Sequence, residues 1–354
     1  MGSQLTVGQF FVRVVLIIFA LAVVYFLWQI VDVLLLAFVG VLLAVFLRTL
    51  VALLRRLVPL PGGVAFAIVV VVLLAFFGAI GWFLAPQLSQ DFSQLATDVP
   101  DALSQLGSQL AEYGWAQEAI DQVNQISSFT EVMPSGGTLF TRITGTFSTA
   151  LNVVTNLIFV LFTGIFLAAN PTMYRKGILQ LIPASRRSRM EEVLTEVVAT
   201  LRWWLLGQFF SMTVIGTLTG VALWLLEMPF ALALGIIAGL FEFVPYVGPV
   251  ATGFLAGLLA FVQSPLQALY VVLAYIAIQQ FESNVLTPIV HRYTVSLPPA
   301  LSLIGVLAMG ALFGFVGVLV ATPLIAVAIV LVKMVYIEEV LGEMTELPRQ
   351  LLKT

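Results

Sequence analysis

Apolar segments long enough to cross a lipid bilayer recur from Gln9 to Ile337, and nothing else in this chain constrains its fold as strongly. Only 9% of the 354 residues are charged, against about 25% in soluble domains. The chain is therefore read as an all-α polytopic integral membrane protein whose first partner is the lipid bilayer. The net charge of -3 points to no particular partner, and no basic run suggests nucleic acid. With no cysteine, disulfides, thiolate chemistry and Cys-ligated metals are excluded. No Lys or Arg precedes Arg13, and the apolar stretch behind it is too long for a signal h-region, so no cleavable signal peptide is expected.

The first block, Phe10 to Trp28, is expected to turn at Gln29 to Asp32 into a second, Val33 to Leu47. Arg48, Arg55 and Arg56 follow, then the breaker Pro59-Leu60-Pro61-Gly62-Gly63 and a third block, Val64 to Ala85. Residues 1–85 are thus three leading spans. Residues 86–147 form a polar insert with acidic side chains from Asp91 to Glu131 and no Lys or Arg before Arg142. Leu103, Leu106 and Leu110 lie at helical spacing there, so the insert is expected to be helical. A fourth block spans Ala150 to Ala169. Arg175, Lys176, Arg186, Arg187 and Arg189 follow in one connection. Met190, Val193, Leu194, Val197, Val198 and Leu201 then mark one apolar helix face, expected to lie at the membrane surface and to feed a fifth span, Leu205 to Leu226.

Residues 148–204 are accordingly the fourth span and a linker helix, 205–337 a transport region with broken helices, and 338–354 a tail. Basic residues gather in alternate connections, while the Gln29 to Asp32 turn has none and the insert almost none. The positive-inside rule then places the N-terminus, linker and tail in the cytoplasm and the insert outside.

The break lies in residues 241–249, "FEFVPYVGP". Pro229 to Val244 and Val250 to Gln263 are apolar arms of about 21 to 24 Å as helices, short for a full crossing. Between them, Pro245 and Pro249 remove backbone donors and Gly248 permits positive φ. The segment can reverse inside the membrane as a re-entrant hairpin, or cross twice with a tight loop. Gly235 and Gly239 on the first arm, and Gly253 and Gly257 on the second, are equidistant from Tyr246 and are expected to meet face to face. Backbone freed at such a tip must be buried in protein or line a wet cavity. Glu242 beside it is a candidate for binding an ion or solute, since an ionisable group at membrane depth is costly unless used. Its structural alternative is a carboxylate accepting hydrogen bonds from the hairpin's own amides.

A further span from Pro265 ends in "QQFESNVLTP", residues 279–288, where Gln279, Gln280, Glu282, Ser283 and Asn284 crowd polar groups. They either cap a helix end or face the cavity. Pro299 to Ile337 holds two apolar stretches around the Gly-rich "GALFGFVGVLVATPL", with Gly310 and Gly314 as another small pair. The Val-Ala-Thr of 250–252 recurs at 320–322, a faint hint of an internal repeat. His291, the only histidine, reads as a solvated loop residue beside Arg292.

The stretches "GQFFSMTVIG" (207–216), "PFALALGIIAGLFEFVPYVGPVATG" (229–253), "QQFESNVLTPIV" (279–290) and "GALFGFVGVLVATPL" (310–324) resemble the autoinducer-2 exporter family. The resemblance implies about eight spans, both termini cytoplasmic, a bacterial inner-membrane location and a homo-oligomeric secondary transporter, with a pentamer expected. It implies export of a small polar solute such as the furanone signal autoinducer-2, or sodium–proton antiport. On matching positions it points to Pro245, Gly248 and Pro249 at the break and to Gln280, Glu282 and Asn284; Tyr246 lies between the break's prolines.

Four functions compete. The first is alternating-access export of a polar solute. The second is antiport, with Glu242 or Glu282 exchanging a proton for sodium. An intramembrane enzyme needs paired aspartates or a Ser-His dyad, and only Asp32 and His291 are at hand; no cofactor or metal is called for, and no phosphate-binding G-x-x-x-x-G-K-[ST] exists. The fourth is a scaffold indifferent to the break.

Overall fold

A computed structural model describes residues 7–76, single positions between 78 and 94, and residues 139–244, 247–291 and 298–342. Residues 95–138 of the acidic insert, Pro245, Tyr246 and Arg292 lie outside the described residues. Helix α1 spans Val7–Leu57, α2 covers Gly62–Phe76, and α3 is Leu139–Ala169. The fourth block therefore begins well before Ala150, inside what the sequence assigns to the insert. α4 is Pro171–Gln180, α5 Arg187–Leu225, α6 Ala231–Phe241, α7 Val247–Gln263 and α8 Pro265–Phe281. A π-turn, Glu282–Leu286, leads into α9, Thr287–His291. α10, Pro299–Leu331, ends in a second π-turn, Val332–Ile337. The described elements are all helical, and by length and composition four of the helices could cross a membrane when α10 is counted whole, or five if the bent pair α3–α4 counts as one span.

The turn expected at Gln29 to Asp32 is absent, and the first two apolar blocks form one helix. The quartet Gln-Ile-Val-Asp contains neither Pro nor Gly. Two polar side chains do not stop a helix whose backbone chemistry is intact. One of the four connections behind the expected orientation is thereby removed.

α1, α2 and α3 share a core of Ala44, Leu47, Val51, Ala65, Val69 and Ala168. The helices α1 and α3 approach where a Cβ on Gly40 would lie 2.7 Å from Thr163, and one on Gly164 2.7 Å from Leu43. At the far end of α3 the chain bends by 86° into α4. Asn170 and Pro171 end the ladder there, and Arg48 Nη2 donates to the freed Ala169 carbonyl at 3.0 Å. Arg48→Leu keeps the apolar stem but leaves that carbonyl without its donor. We expect a loss of about 1–3 kcal/mol, read as a lower unfolding midpoint in detergent, with Arg48→Lys losing less.

Much of the apolar face of the linker packs on protein, while Val198 stays exposed. Val193 packs with Val330 and Met334, and Leu201, Trp204 and Leu205 pack with Leu42 and Val45 of α1. The same helix runs through Trp203 and Trp204 without a break, so linker and fifth span are one element. Arg189 fastens its start: it donates to Glu338 Oε2 at 2.6 Å and to Met334 O at 2.7 Å, a carbonyl of the final π-turn.

Two helical hairpins follow from α5. In the first, α6 and α7 fold back so that Leu234 joins Ala256, Leu259 and Ala260 in one core. In the second, α10 divides at Gly314, whose φ of 58° and ψ of −144° suit only glycine. A Cβ on Gly310 would lie 2.8 Å from Val318, and Val306 shares a core with Ala321, so the halves on either side of Gly314 run back along each other. The repeated Val-Ala-Thr occupies the second arm of both hairpins. The tip of the first hairpin, Phe243 and Val244, packs against the arms of the second through Val306, Met309 and Ala321.

The glycine pairs of the first hairpin do not meet each other as the sequence suggests. Gly235 and Gly239 face Gly220 and Gly216 of α5, whereas Gly253 faces the Tyr275 ring and Gly257 the side of Val272, both on α8. A small-residue face marks a close approach without naming the partner, and here α5 and α8 flank the hairpin on either side.

Candidate functional site

α6 ends in three successive turn bonds: Glu242 N–H donates to Ala238 O, Phe243 N–H to Leu240 O, and Val244 N–H to Phe241 O. The Glu242 carbonyl, freed by the helix end, accepts from Gln208 Nε2 of α5 at 2.6 Å. The chain re-enters helix at Val247 with almost no clearance, since a Cβ on Gly248 would sit 2.7 Å from the Phe241 carbonyl carbon. Gly248 is thus required by close approach at the tip.

This geometry buries Glu242, which is 5% exposed. Its carboxyl group lies within hydrogen-bonding reach of the Glu282 carboxyl, and its Oε2 has no hydrogen-bond partner. Glu282 opens the π-turn that follows α8, and accepts from Gln279 Nε2 at 3.0 Å. A π-turn adds one residue to the helical turn and commonly re-aims side chains at functional positions. Beside the pair is a cavity of about 10 Å³, room for roughly one water molecule. Thr219, Thr252, Tyr275, Gln279 and Glu282 bring oxygen and amide groups to a lining that is otherwise apolar, with Ile215, Ala238, Pro249 and Ile278. Thr219 and Thr252 are both buried, and Thr252 donates to Gly248 O at 2.8 Å.

Two acidic groups in contact at a helix C-terminus accumulate negative charge in a place from which water is nearly excluded. Such a site is relieved by a proton held between the carboxyls or by a small cation on their oxygens.

The polar run 279–284 divides between two faces. Gln279 and Glu282 turn toward Glu242, while Gln280 and Asn284 are exposed and bond each other, Asn284 Nδ2 donating to Gln280 O at 2.9 Å and to its Oε1 at 3.0 Å. Spacings of three and four residues each keep one helical face, so neighbours at one residue separate. Gln280 and Asn284 therefore stand apart from the carboxyl pair with which the sequence reading grouped them. That reading also passed over Gln208, Thr219, Thr252 and Tyr275. Gln208 and Thr219 are polar residues within or beside an apolar span, a signal that was available. His291 ends helix α9 rather than lying in a loop.

Long apolar helices and two broken hairpins, with buried Glu242 at one hairpin's tip beside the half-buried Glu282, describe a polytopic membrane protein. The chain belongs to the AI-2E family of transporters, whose family model matches residues 14–337. It is similar to two Bacillus subtilis proteins, "Putative transport protein YrrI" (26% identity, 73% of this chain and 75% of the relative) and "Putative transport protein YueF" (26%, 73% of each chain). It is likewise similar to "Putative transport protein MT0215" of Mycobacterium tuberculosis, at 30% identity over 75% of this chain and 73% of the relative.

Proposed function

We propose that this protein is a proton-coupled secondary transporter that exports a small polar solute, of the autoinducer-2 kind, by alternating access. The observation that carries this reading is the contact between Glu242 on one hairpin and Glu282 on the π-turn after α8. A carboxyl pair spanning two separately packed elements links its charge state to their relative position. With a proton between them the carboxyls attract; with both ionised they repel and favour separation of hairpin and α8. That is the coupling a secondary transporter needs, and half-helix ends of this kind form its sites elsewhere. The basic connections at Arg48–Arg56 and Arg175–Arg189 face the cytoplasm in this reading, and the chain works as a homo-oligomer in the bacterial inner membrane.

A second reading, sodium–proton antiport, is favoured by the small size of the cavity beside Glu282, which suits a dehydrated cation better than a furanone. One experiment separates them. Purified protein in proteoliposomes, given an imposed proton gradient, is expected to move labelled furanone without added sodium. Sodium flux with no furanone flux would establish antiport instead. Flux of neither would return the protein to the scaffold class.

A further inference from the structure

Helix α4, Pro171–Gln180, has no part in the proposed transport reaction, and none of its residues is buried. It leaves α3 at an angle of 86°. A helix perpendicular to a spanning helix runs in the plane of the bilayer, and at roughly 15 Å α4 is too short to cross a core of about 30 Å. Arg48 of α1 bonds the Ala169 carbonyl at the bend, so α1 and α3 reach the same membrane face there. Beyond that contact α1 ends with exposed Arg55 and Arg56. The side chains of α4 sort into three sectors. Arg175 turns to α5, where it pairs with Glu191 at 3.0 Å and donates to Thr195 Oγ1 at 2.8 Å. Tyr174, Ile178 and the capping residue Leu181 follow at i, i+4 and i+7 and make an apolar face, on which Leu181 is 87% exposed. Thr172, Lys176 and Gln180 are exposed as well, and a step of two residues from the apolar face puts them on the other side of the helix.

The charge around this helix has one sign. From Pro171 to Met190 the ionisable side chains are Arg175, Lys176, Arg186, Arg187 and Arg189, with no Asp or Glu among them. Arg187 Nε donates to Ile182 O at 3.0 Å, which brings its guanidinium to the end of α4. An apolar face on a cationic helix that lies in the bilayer plane is complementary to a negatively charged lipid surface. We infer that α4 is an interfacial helix that docks on anionic phospholipid headgroups, with Tyr174, Ile178 and Leu181 at the acyl boundary and Lys176 and Arg187 among the phosphates. Through Arg175 it holds the start of α5 at the membrane surface. The docking depends on neither the transported solute nor the carboxyl pair.

Because the chain has no cysteine of its own, single variants of the full-length protein can each carry one nitroxide. The apolar set is Tyr174→Cys, Ile178→Cys and Leu181→Cys; the polar set is Thr172→Cys, Lys176→Cys and Gln180→Cys. Met173→Cys replaces any member of the apolar set that fails to fold. In vesicles of phosphatidylethanolamine and phosphatidylglycerol, power saturation compares collisions with oxygen, which concentrates among acyl chains, and with a water-soluble nickel chelate. The oxygen-to-nickel ratio is expected to be about three-fold or more higher in the apolar set than in the polar set. A uniform ratio would overturn the inference. Neutral vesicles of phosphatidylcholine, and the substitutions Lys176→Gln/Arg187→Gln in the original vesicles, are each expected to raise nickel collisions at Leu181→Cys by about two-fold or more. An unchanged depth in either would overturn the assignment to anionic headgroups. Spin–spin broadening at Leu181→Cys that dilution with unlabelled protein removes, without a preference for oxygen, would give the face to a second copy of the chain and equally overturn the inference.

Discussion

Gly235→Leu is expected to abolish the packing of α6 on α5 and to destabilise the protein by about 3 kcal/mol, at the upper end of the range for overpacked sites. The reason lies in what a side chain would strike. A Cβ at Gly235 would come within 2.7 Å of the Gly220 Cα and 3.0 Å of the Gly216 carbonyl oxygen, and both are backbone that cannot rotate away. Gly239 is placed the same way against Met212 O and the Gly216 Cα. By contrast a Cβ at Gly257 meets only a methyl of Val272 at 3.9 Å, so Gly257→Leu is expected to leave the unfolding midpoint near that of the natural protein. Thermal unfolding of the two variants in the same detergent checks the contrast. Equal loss at Gly235 and Gly257 would favour the sequence-based picture in which the two glycine pairs pack on each other.

Glu242→Gln is expected to leave expression, folding and oligomeric state unchanged and to reduce proton-driven flux roughly ten-fold or more, the scale on which removal of a proton-transfer group acts. Glutamine keeps the size of the side chain and its capacity to hydrogen-bond Glu282, but it can neither take up nor release a proton. Wild-type flux is expected to vary with external pH through an optimum, and the Gln variant to respond weakly or not at all. Glu242→Asp retains a carboxyl but shortens its reach, so partial activity with a displaced optimum is expected. Because the two carboxyls act as one unit, the double variant Glu242→Gln/Glu282→Gln is expected to be no worse than the more impaired single variant. Additive losses would mean that the two groups work separately.

Much of this fold was legible in the sequence where backbone chemistry spoke directly. The Pro-Tyr-Val-Gly-Pro break and the Gly-rich stretch around Gly314 each separate two apolar arms, because Pro removes a donor and the φ 58°, ψ −144° backbone at Gly314 suits only glycine. Where polarity was read in place of backbone chemistry the expectation failed, as at Gln29 to Asp32, which stays helical. Partner choice was also hidden. Glycine spacing marks a face of α6 but not that α5 rather than α7 covers it.

The candidate site divides the same way. Glu242 stood out as a carboxylate in an apolar run, and Glu282 as part of a polar cluster, yet their contact depends on how α8 packs beside the first hairpin. Nothing local in either stretch encodes that neighbour. The π-turn at Glu282 left no mark in "QQFESN", although the separation of Gln279 and Glu282 from Gln280 and Asn284 follows from ordinary helical spacing.

In the proposed mechanism the Glu242–Glu282 pair couples transport to protons. The most direct measurement of that coupling is the pH inside proteoliposomes, followed with an enclosed fluorescent indicator, while a gradient of the transported solute is imposed on wild type and Glu242→Gln in parallel. Solute flux is expected to drive a change of internal pH in the wild type, and the Gln variant, at equal protein content, to produce none. An equal pH change in the Gln variant would contradict it and make Glu242 a structural carboxyl of the hairpin tip.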